Sequence, residues 1–259
     1  MERFIYKKSA DITALSASLI DFRYKKHCHE EYAFGVTLRG IQQFHMDGSL
    51  QSSYKNGVML FNPEQAHDGS SHDRTGIDYV MVYIRPKLFL EMIGKRDIIR
   101  FSAPVVYNHM LKQRVLNLAN AILNDKDEAL CSELLLELSD NLSQTELDVA
   151  HRNNDTLIEK AKERMYYSSE NVLRVDEISK AFNMSKFQFI RAFKAGTGIS
   201  PYQYFLNCKV ERAKQLIEKE KDIYSAVSEC GFVDLTHLNR HFKCIYGTTA
   251  FEYMTYLKV

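Results

Sequence analysis

The chain has 259 residues, 45% of them hydrophobic and 26% charged, and a formal net charge of +1. Length and composition fit one large or two smaller globular domains and exclude wholesale disorder, collagen-like repetition and a membrane span. Five scattered cysteines (Cys28, Cys131, Cys208, Cys230 and Cys244) give no disulfide framework, so a reduced, cytoplasmic setting is expected.

The N-terminal stretch MERFIYKKSADITALSASLIDF is charged early and lacks an uninterrupted apolar core, so it does not read as a signal peptide. Up to about residue 105 the chain shows short alternating stretches punctuated by glycine. Ala33 to Leu38, Gly40 to Met46, Val58 to Phe61 and Tyr79 to Ile84 read as strands of an antiparallel sheet or barrel. Asp47-Gly48 between two of them favours a tight hairpin turn. Pro63, Pro86 and Pro104 bound the segments.

Within this region, His27, His29 and Glu31 alternate, which on a regular strand puts them on one face. With His67 they form a set suited to Zn or Fe(II). A small polar-ligand pocket and ordinary buried histidines are the other readings. Cys28 would face the opposite side of the strand, and His72, His109 and His151 read as surface residues.

After residue 105 the pattern turns helical. Leu111, Val115, Leu118 and Ile122 mark one amphipathic helix over roughly 108–124. Leu135, Leu138 and Leu142 mark another over roughly 128–146. The first is expected to pack on its own sheet. The second, denser in leucine, is expected to form a dimer interface. The polar stretch DVAHRNND, residues 148–155, reads as a linker.

The last hundred residues or so contain a repeat. Phe193-Lys194 matches Phe242-Lys243, Gly198 matches Gly247, and Tyr202 and Tyr204 lie near the counterparts of Phe251 and Tyr253. Each copy reads as a helix-turn-helix, over 175–196 and 222–244. Val175, Ile178 and Ala181 give the buried stripe of the first helix in one copy; Ile223, Ala226 and Val227 give it in the other. Asn183-Met184-Ser185 and Gly231 make the turns, and Ser185 and Asp234 are the expected N-caps. Phe189, Phe193, Leu238 and Phe242 recur at core spacing in the second helices.

The remaining faces carry Lys186, Phe187, Gln188, Ile190, Arg191 and Lys194 in one copy. In the other they carry Leu235, Thr236, His237, Asn239, Arg240 and Lys243. These side chains suit phosphates and base edges, and a helix of this size fits the major groove of double-stranded DNA. A long helix at about 200–219 joins the copies and carries Lys209, Arg212 and Lys214, of which Lys209 and Lys214 are the candidate phosphate contacts. Counted by region, residues 1–154 carry a net −2 and residues 155–259 a net +3, so the near-neutral total conceals a mildly basic C-terminal part.

The stretches from Ala226 to Gly247, Met184 to Lys194 and Gly198 to Tyr204 closely resemble the DNA-binding domain of AraC/XylS-type transcription regulators. The resemblance implies seven helices, the third and sixth reading DNA. Phe187, Ile190 and Arg191 would face bases from the first reader, and Leu235, Thr236, Asn239 and Arg240 from the second. Ala250 departs from the family's usual proline and Leu238 from its common phenylalanine.

His27 to Gly35 and Gly57 to His67 resemble the cupin barrels that serve as sensors in the same regulators. Catalytic cupins place a glutamate four or five residues after the second histidine, where this chain has Ala33 and Phe34. No metal is therefore expected. Similar sensors occur on regulators associated with amino-acid metabolism and export, which points to a small amino-acid-like effector. Tyr32, Phe34, His27, His29, Glu31, Arg39 and His67 are its candidate contacts.

The expected architecture is α+β with two domains. A cupin-like antiparallel barrel spans 1–105, connector and dimerisation helices 106–147, a linker 148–154, and an all-α reader 155–259. The expected function is a ligand-responsive, sequence-specific DNA-binding regulator, a homodimer that is not an enzyme and that engages RNA polymerase if it activates. The alternative is a cupin metalloenzyme carrying an accessory DNA-binding module.

Overall fold

A computed structural model describes residues 2–125, 127–144 and 156–257. The chain forms two compact units, Met1–Arg23 with His29–His151, and Tyr24–Cys28 with Arg152–Val259. The linker expected at 148–154, His151 and the last two residues of the 128–146 helix lie outside the described residues.

The N-terminal part is built from β1 (Arg3–Ser9), β2 (Ile12–Leu19), β3 (Arg23–His27), β4 (Tyr32–Arg39), β5 (Gln42–Met46), β6 (Ser49–Ser53), β7 (Val58–Phe61), β8 (His67–Ser71), β9 (Ile77–Ile84) and β10 (Val105–Val106). Those of the first unit form two sheets, in the orders β1-β2-β9-β4-β7-β10 and β8-β5-β6. The pairs β1–β2, β2–β9, β4–β9, β4–β7, β7–β10, β5–β6 and β5–β8 are antiparallel. The four strands expected from alternation correspond to β4, β5, β7 and β9. The Asp47-Gly48 turn closes the β5–β6 hairpin, where Met46 pairs with Ser49 and both turn residues have positive φ, 50° and 81°. That geometry matches the right-handed twist of the flanking strands.

Alternation along β4, β7 and β9 sorts the larger sheet into two faces. Tyr32, Phe34, Val36, Val58, Leu60, Val80, Val82 and Ile84 point into a core covered by helices. Those helices are α1 (Pro86–Met92), α2 (His109–Asn120), a π-helical turn (Ala121–Asp125) and α3 (Glu128–Gln144). Asn108 caps α2, its side-chain oxygen accepting from Leu111 N–H. The helix lies on β4 and β9, as its apolar stripe requires.

The leucine stripe that pointed to a dimer seam on α3 is used within the chain itself. Leu135, Leu138 and Leu142 are buried in the same core, because α3 packs on α2. Those leucines are already covered by their own chain. Leu130 and Leu136 are the leucines of this helix that stay exposed.

The C-terminal unit contains α4 (Thr156–Tyr167), α5 (Val175–Ala181), α6 (Lys186–Thr197), α7 (Pro201–Glu220), α8 (Ile223–Glu229), α9 (Leu235–Tyr246) and α10 (Ala250–Leu257). Phe189, Phe193, Leu238 and Phe242 are all buried. The expected stripe of α5 holds only in part: Ile178 is buried, Val175 half-buried and Ala181 exposed. The helix stops at Ala181, and the next residue, Phe182, stacks on Phe189 in place of it, with ring centroids 6.1 Å apart.

Replacing Leu138 by Ala should cost about 2–5 kcal/mol, the usual range for emptying a packed leucine site. Denaturant unfolding at several protein concentrations checks the assignment: the loss is expected to be the same at each, whereas a seam between two chains makes it concentration-dependent.

Candidate nucleic-acid interface and sensor site

The two copies repeat at the level of backbone geometry. Ser185 begins α6 with a capping box: its hydroxyl accepts from Gln188 N–H, and Gln188 Oε1 accepts from Ser185 N–H at 2.9 Å. Asp234 begins α9, its carboxylate accepting from His237 N–H at 2.7 Å. Gly198 and Gly247 end the two helices in the left-handed region, at φ 77° and 75°, and their N–H groups donate to the carbonyls of Lys194 and Lys243. Beyond each stop, Tyr204 and Tyr253 are buried while Tyr202 and Phe251 stay exposed.

These caps leave one face of each helix open. On α6, Lys186, Phe187, Gln188, Arg191 and Lys194 are exposed, and Ile190 is half-buried. Phe187 is 69% exposed, unusual for an aromatic side chain without a partner surface. Lys186 Nζ lies 3.7 Å from Asp176. On α9, Thr236, Arg240 and Lys243 are exposed, whereas Leu235, His237 and Asn239 are half-buried.

Two residues of the second face have local partners that sequence alone does not reveal. His237 Nδ1 accepts from Val233 N–H at 3.4 Å, and its Nε2 lies 3.1 Å from that of His241. Burial, together with neighbouring positive charge, holds the His241 imidazole below the usual histidine range. Asn239 Oδ1 accepts from Ala250 N–H at 3.0 Å.

The connecting helix α7 brings a larger correction. Lys209 and Lys214, expected to touch phosphate, are 7% and 4% exposed. Lys209 donates to the Gly231 carbonyl at 3.1 Å and lies over the Phe205 and Phe232 rings. Burial pushes its ammonium below the usual lysine range. Lys214 pairs with Glu211 at 3.3 Å, over Tyr246. Arg212 is half-buried and lies 3.7 Å from Glu170. Apolar positions of α7 pack on several sides, so its cations are drawn inward as tethers of neighbouring turns.

In the N-terminal part the histidines fall into place differently. Strand β3 ends at His27, so His29 and Glu31 lie beyond it, yet burial still alternates along the stretch, with Cys28 half-buried and Glu30 exposed between the three. His27, His29, Glu31 and His67 are all buried. The Nδ1 atoms lie at hydrogen-bond distance from backbone carbonyls: His27 from Lys25 at 2.7 Å, His29 from Glu31 at 2.9 Å, His67 from Gln65 at 2.8 Å. A carbonyl only accepts, so each Nδ1 carries a proton, and in the neutral ring Nε2 is the acceptor nitrogen. His29 and His67 meet edge to face, centroids 5.0 Å apart, with Tyr83 5.4 Å from His29 and Phe61 4.3 Å from His67. Among the described residues no group of three or more His, Cys, Asp and Glu side chains is placed to hold a metal ion.

Three other candidate contacts are engaged elsewhere. Tyr32 and Phe34 face the helices. Tyr32 donates to the Ile99 carbonyl at 2.7 Å, and burial pushes its hydroxyl up to about 12. Arg39 is a rim residue, held in a two-pronged pair with Asp78 at 2.6 and 3.1 Å. Hydrogen bonding from Arg39 keeps the Asp78 carboxyl below the usual range. Tyr83 and Phe61, beside the histidines, carry no motif that marks them in the sequence. Their one signal is that both alternate with helix-facing neighbours on β9 and β7.

A family model described as an AraC-like ligand binding domain matches residues 9–139, and one described as a helix-turn-helix domain matches 178–255. The chain belongs to the AraC family of transcription regulators. It is 25% identical over 225 residues to the uncharacterized HTH-type transcriptional regulator YbfI of Bacillus subtilis, covering 83% of this chain and 82% of that protein. It is 24% identical over 138 residues to the Msm operon regulatory protein of Streptococcus mutans, covering 51% and 50%. ToxT from Vibrio cholerae superposes with a TM-score of 0.61 at 11% identity, covering 99% of this chain and 97% of that one, which shows a shared fold.

This AraC-family chain is a ligand-responsive, DNA-binding regulator with an N-terminal ligand-binding domain and a C-terminal helical domain. As that resemblance implied, the C-terminal part has seven helices among the described residues, and α6 and α9 are the third and sixth. No described helix is long and apolar enough to cross a membrane.

Lys209→Ala and Lys214→Ala should lower thermal stability yet leave the salt dependence of DNA affinity unchanged. A plot of log K against log salt checks this, because a lysine that neutralises a phosphate contributes about one to the slope and its removal would flatten the plot.

Proposed function

We propose that α6 and α9 read bases in two major grooves on one side of the duplex, and that an effector bound in the barrel changes how the readers are presented. The observation that carries this reading is the paired, similarly capped helices with open basic faces, in a chain of this family. Lys186, Phe187, Gln188, Arg191 and Lys194 supply the contacts from α6. Thr236, Arg240 and Lys243 supply them from α9, flanked by Leu235 and His237. Ile190 contributes from a half-buried position. Helix α7 has 20 residues, about 30 Å, close to the ~34 Å of one DNA turn.

The effector reading centres on His29 and His67 with Phe61 and Tyr83 around them. Imidazoles that can take up a proton, set in an aromatic shell, suit a small amino-acid-like molecule with a carboxylate. His27 and Glu31 are further candidates on the same stretch of chain. Ligand affinity must differ between the two presentations of the readers, since a molecule that binds both equally shifts nothing. Residues 1–105 act as the sensor, 106–147 as its connector and 155–259 as the reader. The chain works in the cytoplasm as a homodimer, without catalysis, and contacts RNA polymerase if it activates.

DNase protection on the DNA upstream of the chain's own gene, repeated across a metabolite panel, tests the whole reading. A protected site whose extent or strength responds to one metabolite is the expected result. Arg191→Ala and Arg240→Ala should each cost about 1–3 kcal/mol of affinity at a base edge, and unchanged affinity in both refutes the reader assignment. His67→Gln should keep DNA binding without effector while losing the metabolite response.

A further inference from the structure

The two helix-turn-helix copies differ at one coupled pair of positions. Phe193 and Phe242, Gly198 and Gly247, and Tyr204 and Tyr253 are each 49 positions apart, which fixes the alignment of the copies. At that offset the helix following each reader begins in the same way. Ser200 caps α7 and forms a capping box with Gln203. Thr249 and Glu252 exchange the same two bonds at α10: Thr249 N–H donates to Glu252 Oε2 at 2.8 Å, and Glu252 N–H donates to Thr249 Oγ1 at 3.2 Å.

The next residue differs. Helix α7 opens on Pro201 and α10 on Ala250, and both residues are buried. A proline at the first helical position has no N–H. An alanine there has one, and the helix offers it no carbonyl partner. Burial removes water as a substitute, and an unmet buried donor is costly. In the second copy the reader itself supplies the acceptor, since Asn239 Oδ1 takes the Ala250 N–H at 3.0 Å. The equivalent residue of the first copy is Ile190, which has no side-chain acceptor and faces no such demand. Ile190 and Asn239 are both half-buried.

We propose that Asn239 is a positioning residue of the second reader, fastening α9 to the start of α10, and that it does not read a base. The pair Asn239 with Ala250 stands where the first copy has Ile190 with Pro201. An asparagine that recognises adenine uses both ends of its amide. Here one end of that amide, the oxygen, already accepts the Ala250 N–H at 3.0 Å. Sequence selectivity of α9 therefore rests on those neighbours, held in place by Asn239. This inference rests on the reading of α9 as a DNA reader.

The test uses the full chain with Asn239→Ala, Asn239→Ile and the transplanted pair Asn239→Ile with Ala250→Pro. Each is assayed by thermal melting and by selection from a pool of double-stranded DNA with a randomised central stretch. Asn239→Ala should lower the melting temperature by about 2–8 °C and weaken all selected sequences by one common factor. Asn239→Ile should behave alike, and adding Ala250→Pro should recover stability, a non-additive result that identifies the shared bond. A changed preference at one base position with an unchanged melting temperature overturns the proposal, as does strict additivity of the pair. Arg240→Ala, run beside them, separates the two ideas: if it too leaves base preference untouched, the reader assignment has failed.

Discussion

Gly198 and Gly247 set where each reader helix stops, and the rest of the C-terminal unit is arranged from those two points. Each donates its N–H back to a lysine carbonyl one turn earlier, at φ 77° and 75°, which a side chain would strain. The chain turns sharply there and enters the next helix through a capping box. One aromatic contact recurs across the two stops: Phe193 meets Tyr204 with ring centroids 5.5 Å apart, and Phe242 meets Tyr253 at 5.4 Å. Two copies of one local device thus give two open helix faces, each backed by a rigid aromatic cluster.

The N-terminal part relies on a different constraint, the two-residue period of β4, β7 and β9. One set of side chains forms the helix-covered core with α2 and α3. The other set includes Phe61 and Tyr83, which meet the rings of His29 and His67. The histidines are oriented by their own backbone, each with Nδ1 on a carbonyl two residues away. That arrangement fixes tautomer and ring direction from the backbone, inside an aromatic setting.

What the sequence made legible was local. The N-caps Ser185 and Asp234, the Asp47-Gly48 hairpin and the matched Phe-Lys and Gly positions each depend on a few neighbouring residues. Their chemistry is the same in any fold. The misreadings came from interactions between distant parts of the chain. Lys209 and Lys214 look like solvent-facing cations until α7 packs on its neighbours. The leucines of α3 look like a seam until α2 covers them. The bond from Ala250 N–H to Asn239 Oδ1 was not legible either, because that partner lies eleven residues on, at a backbone atom that no residue type announces.

Helix α7 also acts as a ruler with a built-in angle. Each residue adds about 1.5 Å of length and about 100° of rotation. Deleting one residue from its middle would shift α9 only slightly along the helix axis but swing its open face far round that axis. Removing a whole turn would keep the direction and shorten the span. Changes of length in this segment thus preserve the direction of the second face only in steps of three or four residues. The angle between the two open faces is therefore set as tightly as the distance between them.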